Sequence, residues 1–147
     1  MMGLTASLRM LTSTLAMSLA MVPARAEGSA PAPALTLELN AARPSDKGCR
    51  LTFLVNNNLG ADLSKTAFEI ALFNEAGIVD RLTVLDFKDL PAGKTKVTRF
   101  DLAGTDCTKV SRVLINSATE CAGAGVEPAA CMHKLKTDTK TGIAFGV

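Results

Sequence analysis

Apolar residues in this chain recur at every second position in short runs, and the runs are broken by turn residues. Leu35, Leu37 and Leu39 alternate with Thr36, Glu38 and Asn40. Leu51, Phe53 and Val55 follow, then Phe68, Ile70 and Leu72, then Thr98, Phe100 and Leu102, and later Val113 and Ile115. A period of two puts each set on one face of a half-buried strand. Between the sets lie Ala41–Gly48, Asn56–Gly60, Asn74–Gly77 and Leu90–Gly93, rich in Gly, Pro, Asn and Asp. The Asn74–Gly77 segment is a four-residue hairpin connection to a partner strand over Ile78–Leu85. No segment has convincing helical periodicity, although Ala61–Thr66 is read as one helical turn. The pattern predicts an all-β protein, an antiparallel sandwich of about seven strands. Thr141–Val147 is read as a last edge strand. Leu82/Val84 and Leu85/Phe87 cannot share one face without an extra residue, which predicts a bulge or strand end between Val84 and Leu85.

The domain is expected to begin only at residue 35. Residues 1–26 have the form of a secretory signal peptide: Arg9 without any acid, the apolar run Met10–Val22, Pro23, and the small-x-small triplet Ala24-Arg25-Ala26. The apolar run falls short of the ~20 residues that span a bilayer. Cleavage after Ala26 is expected, and intact-mass measurement of the exported protein should give a chain beginning at Glu27. Retention of all 147 residues in a membrane fraction would refute it. The residue directly after the cleavage triplet is Glu27 rather than Cys, the first Cys being Cys49, and Arg9 stands alone, so neither lipoprotein processing nor twin-arginine export is indicated. Residues 27–34, including Gly28-Ser29-Ala30-Pro31-Ala32-Pro33-Ala34, read as a Pro/Ala-rich linker ahead of a single domain over 35–147. Arg9 and Arg25 leave with the leader, so 16 basic residues fall to 14, equal to the 14 acids. A neutral domain has no electrostatic reason to bind nucleic acid or membrane surfaces, and no stable membrane insertion is expected after cleavage.

Cys49, Cys107, Cys121 and Cys131 all lie behind the leader, separated by 57, 13 and 9 residues. An even count in a secreted domain without any C-x-x-C reads as two disulfides rather than a zinc or redox site. The expected location is the periplasm or the exterior of the cell.

The stretch from Leu51 to Ile115 resembles the FxLYD family of secreted bacterial domains. The features that carry the resemblance are the strand ending at Asn56, Leu72-Phe73-Asn74 with Gly77 just after it, and Leu90-Pro91-Ala92-Gly93 before a strand containing Phe100. Phe73 and Asn74 stand where the family usually has Tyr and Asp. The layout is also similar to that of small secreted Gram-negative proteins of unassigned function. The resemblance implies an immunoglobulin-like sandwich and brings no catalytic residues. In such a sandwich the second strand starts where its antiparallel neighbour, the fifth, ends. That topology pairs Cys49, which opens the Phe53 strand, with Cys107, just past the Phe100 strand. It leaves Cys121 to reach Cys131 across the Ala122–Ala130 loop.

Residues with chemical potential are few. His133 is the only histidine, and no G-x-S-x-G turn accompanies it. Asp86 with Asp89, or Asp101 with Asp106, supplies the two carboxylates a glycosidase needs, but no Trp or Tyr offers a platform for a sugar. Cys131-Met132-His133 places three soft or borderline copper ligands together, yet a blue-copper site needs a second His. Gly123-Ala124-Gly125 lacks the helix start of a phosphate loop. No catalytic residue, metal site or cofactor is expected. Two functions remain. One is a non-catalytic module that binds a protein, most naturally an envelope protein, or serves a cell-envelope complex. The other is a small periplasmic hydrolase, or a ligand- or metal-binding protein, with a pocket hidden from sequence. A flat apolar surface favours the first, and polar groups converging on a cavity favour the second.

If Phe68, Ile70 and Leu72 point inward, Phe73 points out, and by the same logic so does Leu114 between Val113 and Ile115. Phe73 and Leu114, flanked by Ala71, are therefore the candidate partner-binding patch. The alternative is that Ile143 and Phe145 in the C-terminal segment fold over that face and bury it, and the reading leans to this second outcome.

Overall fold

The computed structural model describes residues 28–147. The expected leader and its cleavage site lie outside them. Residues 28–33 are exposed and outside any regular element, and the first strand begins at Ala34.

Eight strands form two four-stranded sheets. The strands are β1 (Ala34–Ser45), β2 (Gly48–Asn58), β3 (Leu63–Asn74), β4 (Val79–Leu90), β5 (Thr95–Ala103), β6 (Val110–Ala122), β7 (Leu135–Thr139) and β8 (Ala144–Gly146). The first sheet runs β5-β2-β1-β7 and the second β4-β3-β6-β8. β2 pairs antiparallel with β1 and β5, and β3 with β4 and β6, whereas β7 joins β1 and β8 joins β6 in parallel. This is an all-β sandwich, with the second and fifth strands neighbours as the immunoglobulin-like layout requires.

The alternating sets meet between the sheets. Leu35, Leu37, Leu39, Leu51, Phe53 and Val55 of the first sheet are buried against Phe68, Ile70, Leu72, Phe87, Val113 and Ile115 of the second. Phe53 touches three rings, with centroid distances of 5.6 Å to Phe87, 6.0 Å to Phe100 and 5.5 Å to Phe145. Phe87 in turn lies 6.0 Å from Phe68 and 5.0 Å from Phe100. These edge and tilted arrangements are the favoured ones for aromatic pairs.

Both disulfides have the expected partners, Cys49–Cys107 and Cys121–Cys131. Cys49 sits opposite Leu102 at the end of the β2–β5 ladder, and Cys107 opens a 3-10 turn at Cys107–Lys109 just beyond β5. Gly48 is required there, because a Cβ at this position would collide with the Leu102 carbonyl oxygen. At the other end the buried Asn57 ties three segments together. Its amide donates to the carbonyls of Ala61 (2.9 Å) and Leu90 (2.8 Å), and its side-chain oxygen accepts from Leu59 N–H (3.1 Å).

The strand beyond the seven expected is β7, formed by Leu135–Thr139 ahead of the last segment. Three expectations are corrected. Ala61–Thr66 holds no helical turn. Residues 63–66 already belong to β3, the Asn57 amide satisfies the Ala61 carbonyl, and the Asp62 carboxylate is turned to the β4–β5 turn, where it accepts from Ala92 N–H at 2.8 Å. Among the described residues the one α-helix, α1 (Ala130–His133), lies instead in the segment around Cys131. No bulge separates Val84 from Leu85, whose partners Glu69 and Phe68 are consecutive. The register shifts at Phe87, where Ala67 faces Asp86 and Thr66 faces Lys88. Lys88 takes a left-handed backbone with φ 63° and donates its N–H to the Asp86 carboxylate at 2.9 Å. The apparent phase slip has a simpler cause: Leu82 and Val84 point out while Leu85 and Phe87 point in. Finally, Thr141–Val147 forms a strand only over Ala144–Gly146. It does not cover the outer face, since Phe145 pairs with inward-facing Val113 and packs on Phe53, and Ile143 joins the core.

Candidate functional site

Each carboxylate of the acidic pairs has a structural partner of its own. Asp86 binds the Lys88 ammonium, and Asp89 lies 3.6 Å from that of Lys96. Asp101 accepts both Nε and Nη2 of Arg50, at 3.0 and 3.1 Å across the β2–β5 ladder. Asp106 caps the 3-10 turn, accepting from Thr108 N–H at 2.9 Å and from its hydroxyl at 2.8 Å. Hydrogen bonds from Lys88, Arg50 and Thr108 hold the carboxyls of Asp86, Asp101 and Asp106 below the usual carboxylate range. A general acid at neutral pH needs a shift in the opposite direction.

Cys131 is fully buried in its disulfide, so no thiolate accompanies Met132 and His133. His133 is exposed at the end of α1. Among the described residues no group of three His, Cys, Asp or Glu side chains is placed to hold a metal ion. Beside α1 lies a cleft of about 260 Å³ between Leu59, Ala61, Val126 and Ala130, with His133 and Lys134 at its lining. Its walls are mostly small apolar groups.

The outer faces of the two sheets differ in character. That of the first sheet is mostly polar, with ion pairs of Arg50 with Asp101 and of Lys140 with Glu38 and Asp138, and with Asn56 bonded to Thr95; its exposed apolar residue is Val97, opposite Leu54. On the second sheet, cross-strand partners share a face, and one row reads Leu82–Ala71–Leu114 across β4, β3 and β6. The adjacent row reads Val79–Phe73–Arg112, with the Arg112 guanidinium 5.4 Å from the Phe73 ring centre. On the other side Val84 faces Glu69, and Asn116 Nδ2 donates to the Glu69 carboxylate at 2.6 Å.

Phe73 and Leu114 thus lie in neighbouring rows of one outer face, each half-buried, on either side of the buried Ala71. The larger part of the apolar surface comes from β4 and the turn residue before it, which the candidate patch of the sequence does not include. Ile78 in the turn and Val79, Leu82 and Val84 in β4 are 62, 49, 56 and 51% exposed. Only Val97 and Val147 are comparable among the described large apolar residues. The signal for β4 was present in the alternation of Leu82 and Val84. It was assigned to a bulge because two apolar sets in one strand are usually both assumed to be core.

No helix of the described residues is long and apolar enough to cross a membrane. The two disulfides mark maturation in an oxidising compartment. Comparison with protein-family models, with curated proteins and with solved structures returns no match.

Proposed function

We propose that this protein is a non-catalytic binding module of the bacterial periplasm or exterior, an accessory to an envelope complex, and that it engages protein through the outer face of the second sheet. The observation that carries the reading is the apolar surface of Leu82, Val84, Val79, Phe73 and Leu114 on a sheet whose other face already supplies the core. A monomer gains nothing by exposing adjacent large apolar side chains, and contiguous apolar patches mark interfaces. The flatness of the face fits a protein partner better than a small ligand, which binds in a concave site. The leader-like residues 1–26 together with the disulfides support the periplasmic or exterior location. The resemblance to FxLYD domains supports the same reading, since those are secreted bacterial domains that bring no catalytic residues.

The test is the double variant Leu82→Ser/Leu114→Ser, compared with wild type by thermal melting and by pull-down from a periplasmic extract. The expected result is a melting temperature within about 2 °C of wild type, as for surface changes of ~0.5 kcal/mol, with loss of the wild-type partners. A fall in stability of several kcal/mol with every partner retained would make the face structural and end the proposal.

A further inference from the structure

We infer that the occupant of this face is a second copy of the same chain, related by a two-fold axis that runs along the Leu82–Ala71–Leu114 row. The inference rests on the binding role of the face proposed above and names its partner.

The argument is self-complementarity, which a two-fold interface demands because each patch must match itself. An axis in the plane of the face along that row reverses the strand direction of the second copy. The row then returns onto itself, with Leu82 over Leu82 and Leu114 over Leu114. Val84 lies one step to one side of the row and Val79 one step to the other, in register with Glu69 and Phe73 respectively. The same rotation therefore sets Val84 of each copy over Val79 of the other. Apolar surface meets apolar surface along Val79–Val84 of β4.

The charges obey the same symmetry. Glu69 stands on the Val84 side of the row, and Arg112, opposite Phe73, stands on the Val79 side. Among the described residues neither forms a salt bridge within its own chain. The rotation carries Glu69 of one copy to the level of Arg112 of the other, displaced sideways by one strand spacing of about 4.8 Å. Long side chains span that offset, and symmetry makes the contact twice.

The edge of β4 is the competing place for a partner, by strand addition. It is guarded from within the chain. Lys96 Nζ donates to the carbonyls of Phe87 (3.2 Å) and Asp89 (2.8 Å), and the register shift at Phe87 lies between the paired stretches. Arg81 reaches from the other half of the strand to the Ala103 carbonyl at 2.7 Å. The face is left open. The three long strands β4, β3 and β6 give it roughly 400 Å² in projection over eight residues of length, which suits a weak, reversible dimer rather than a standard interface of ~800 Å² per partner.

The experiment is sedimentation of the exported, oxidised protein across a range of concentrations, for wild type, Arg112→Glu, Glu69→Arg and an equimolar mixture of the two variants. Wild type is expected to dimerise with a Kd on the order of micromolar. Each reversal faces like charges twice and is expected to weaken dimerisation about tenfold or more. The mixture should recover wild-type affinity, because every Glu then meets an Arg. Each side chain makes one contact within its own chain, Arg112 over the Phe73 ring and Glu69 with Asn116, so the melting temperature should fall by only a few degrees. A wild-type protein that remains monomeric at millimolar concentration overturns the inference, as does a mixture no tighter than the single variants. If wild type is monomeric while Leu82→Ser/Leu114→Ser loses its partners without loss of stability, self-association is refuted and the binding role stands. If that double variant is strongly destabilised and keeps its partners, both fail.

Discussion

Replacing Cys49 and Cys107 together by alanine is expected to destabilise the protein by about 4 kcal/mol, measured as a lower urea midpoint. The disulfide closes 58 residues of chain, which contain β2, β3, β4 and β5. Without it, the unfolded chain regains the freedom that this loop denied it. The Cys121–Cys131 link closes only 10 residues, and the same reasoning gives its loss a smaller effect, about 2–3 kcal/mol. The order of the two is the sharper part of the prediction. Alanine is the right replacement at position 49 because the side chain is fully buried in the core cluster, where a serine hydroxyl would need a partner. If the short-loop variant proves the weaker protein, loop closure is not the governing effect. The anchoring of α1 and β7 through Cys131 would then be the better explanation.

The pairing of these cysteines was legible because each lies at the end of a strand whose alternation is clear, so topology alone decides which ends meet. The same clarity gave β1, β2, β3, β5 and β6. Legibility failed where an element draws its stability from its neighbours. β7 is Leu-Lys-Thr-Asp-Thr, with one apolar residue, and it is a strand because β1 offers a parallel ladder from Leu35 to Leu39. β8 is three residues long and depends on its pairing with Arg112–Leu114. The role of Asn57 was equally hidden, since an Asn-rich turn looks the same whether the side chain meets solvent or clamps Ala61 and Leu90. For the candidate face, Phe73 and Leu114 followed from parity alone. Leu82 and Val84 did not, because alternation tells which residues share a face and not which face is buried. In β4 the answer depends on the three residues from Leu85 to Phe87, whose inward side chains fix the phase of the whole strand.

Phe53→Ala is expected to cost about 3–5 kcal/mol, a large share of the 5–15 kcal/mol that holds a typical domain folded. Its ring is completely buried and touches Phe87 of the second sheet, Phe100 of its own sheet and Phe145 of β8. Three aromatic neighbours, each fixed to a different strand, cannot all move inward to fill the space, so most of the cavity should remain. The effect should also be unevenly distributed. β8 has only three residues of ladder, and its anchors are Phe145 against Phe53 and the buried Ile143. Removing the Phe53 ring takes away the larger anchor, and local opening of the tail should become cheaper than global unfolding. Hydrogen exchange of the variant is expected to show Ala144–Gly146 losing protection under conditions where Leu35–Leu39 and Phe68–Leu72 keep theirs. Uniform loss across all strands would mean that the tail is held by its pairing to β6 rather than by the aromatic cluster. Phe53→Leu, which keeps most of the volume, should restore the protection of the tail together with most of the stability.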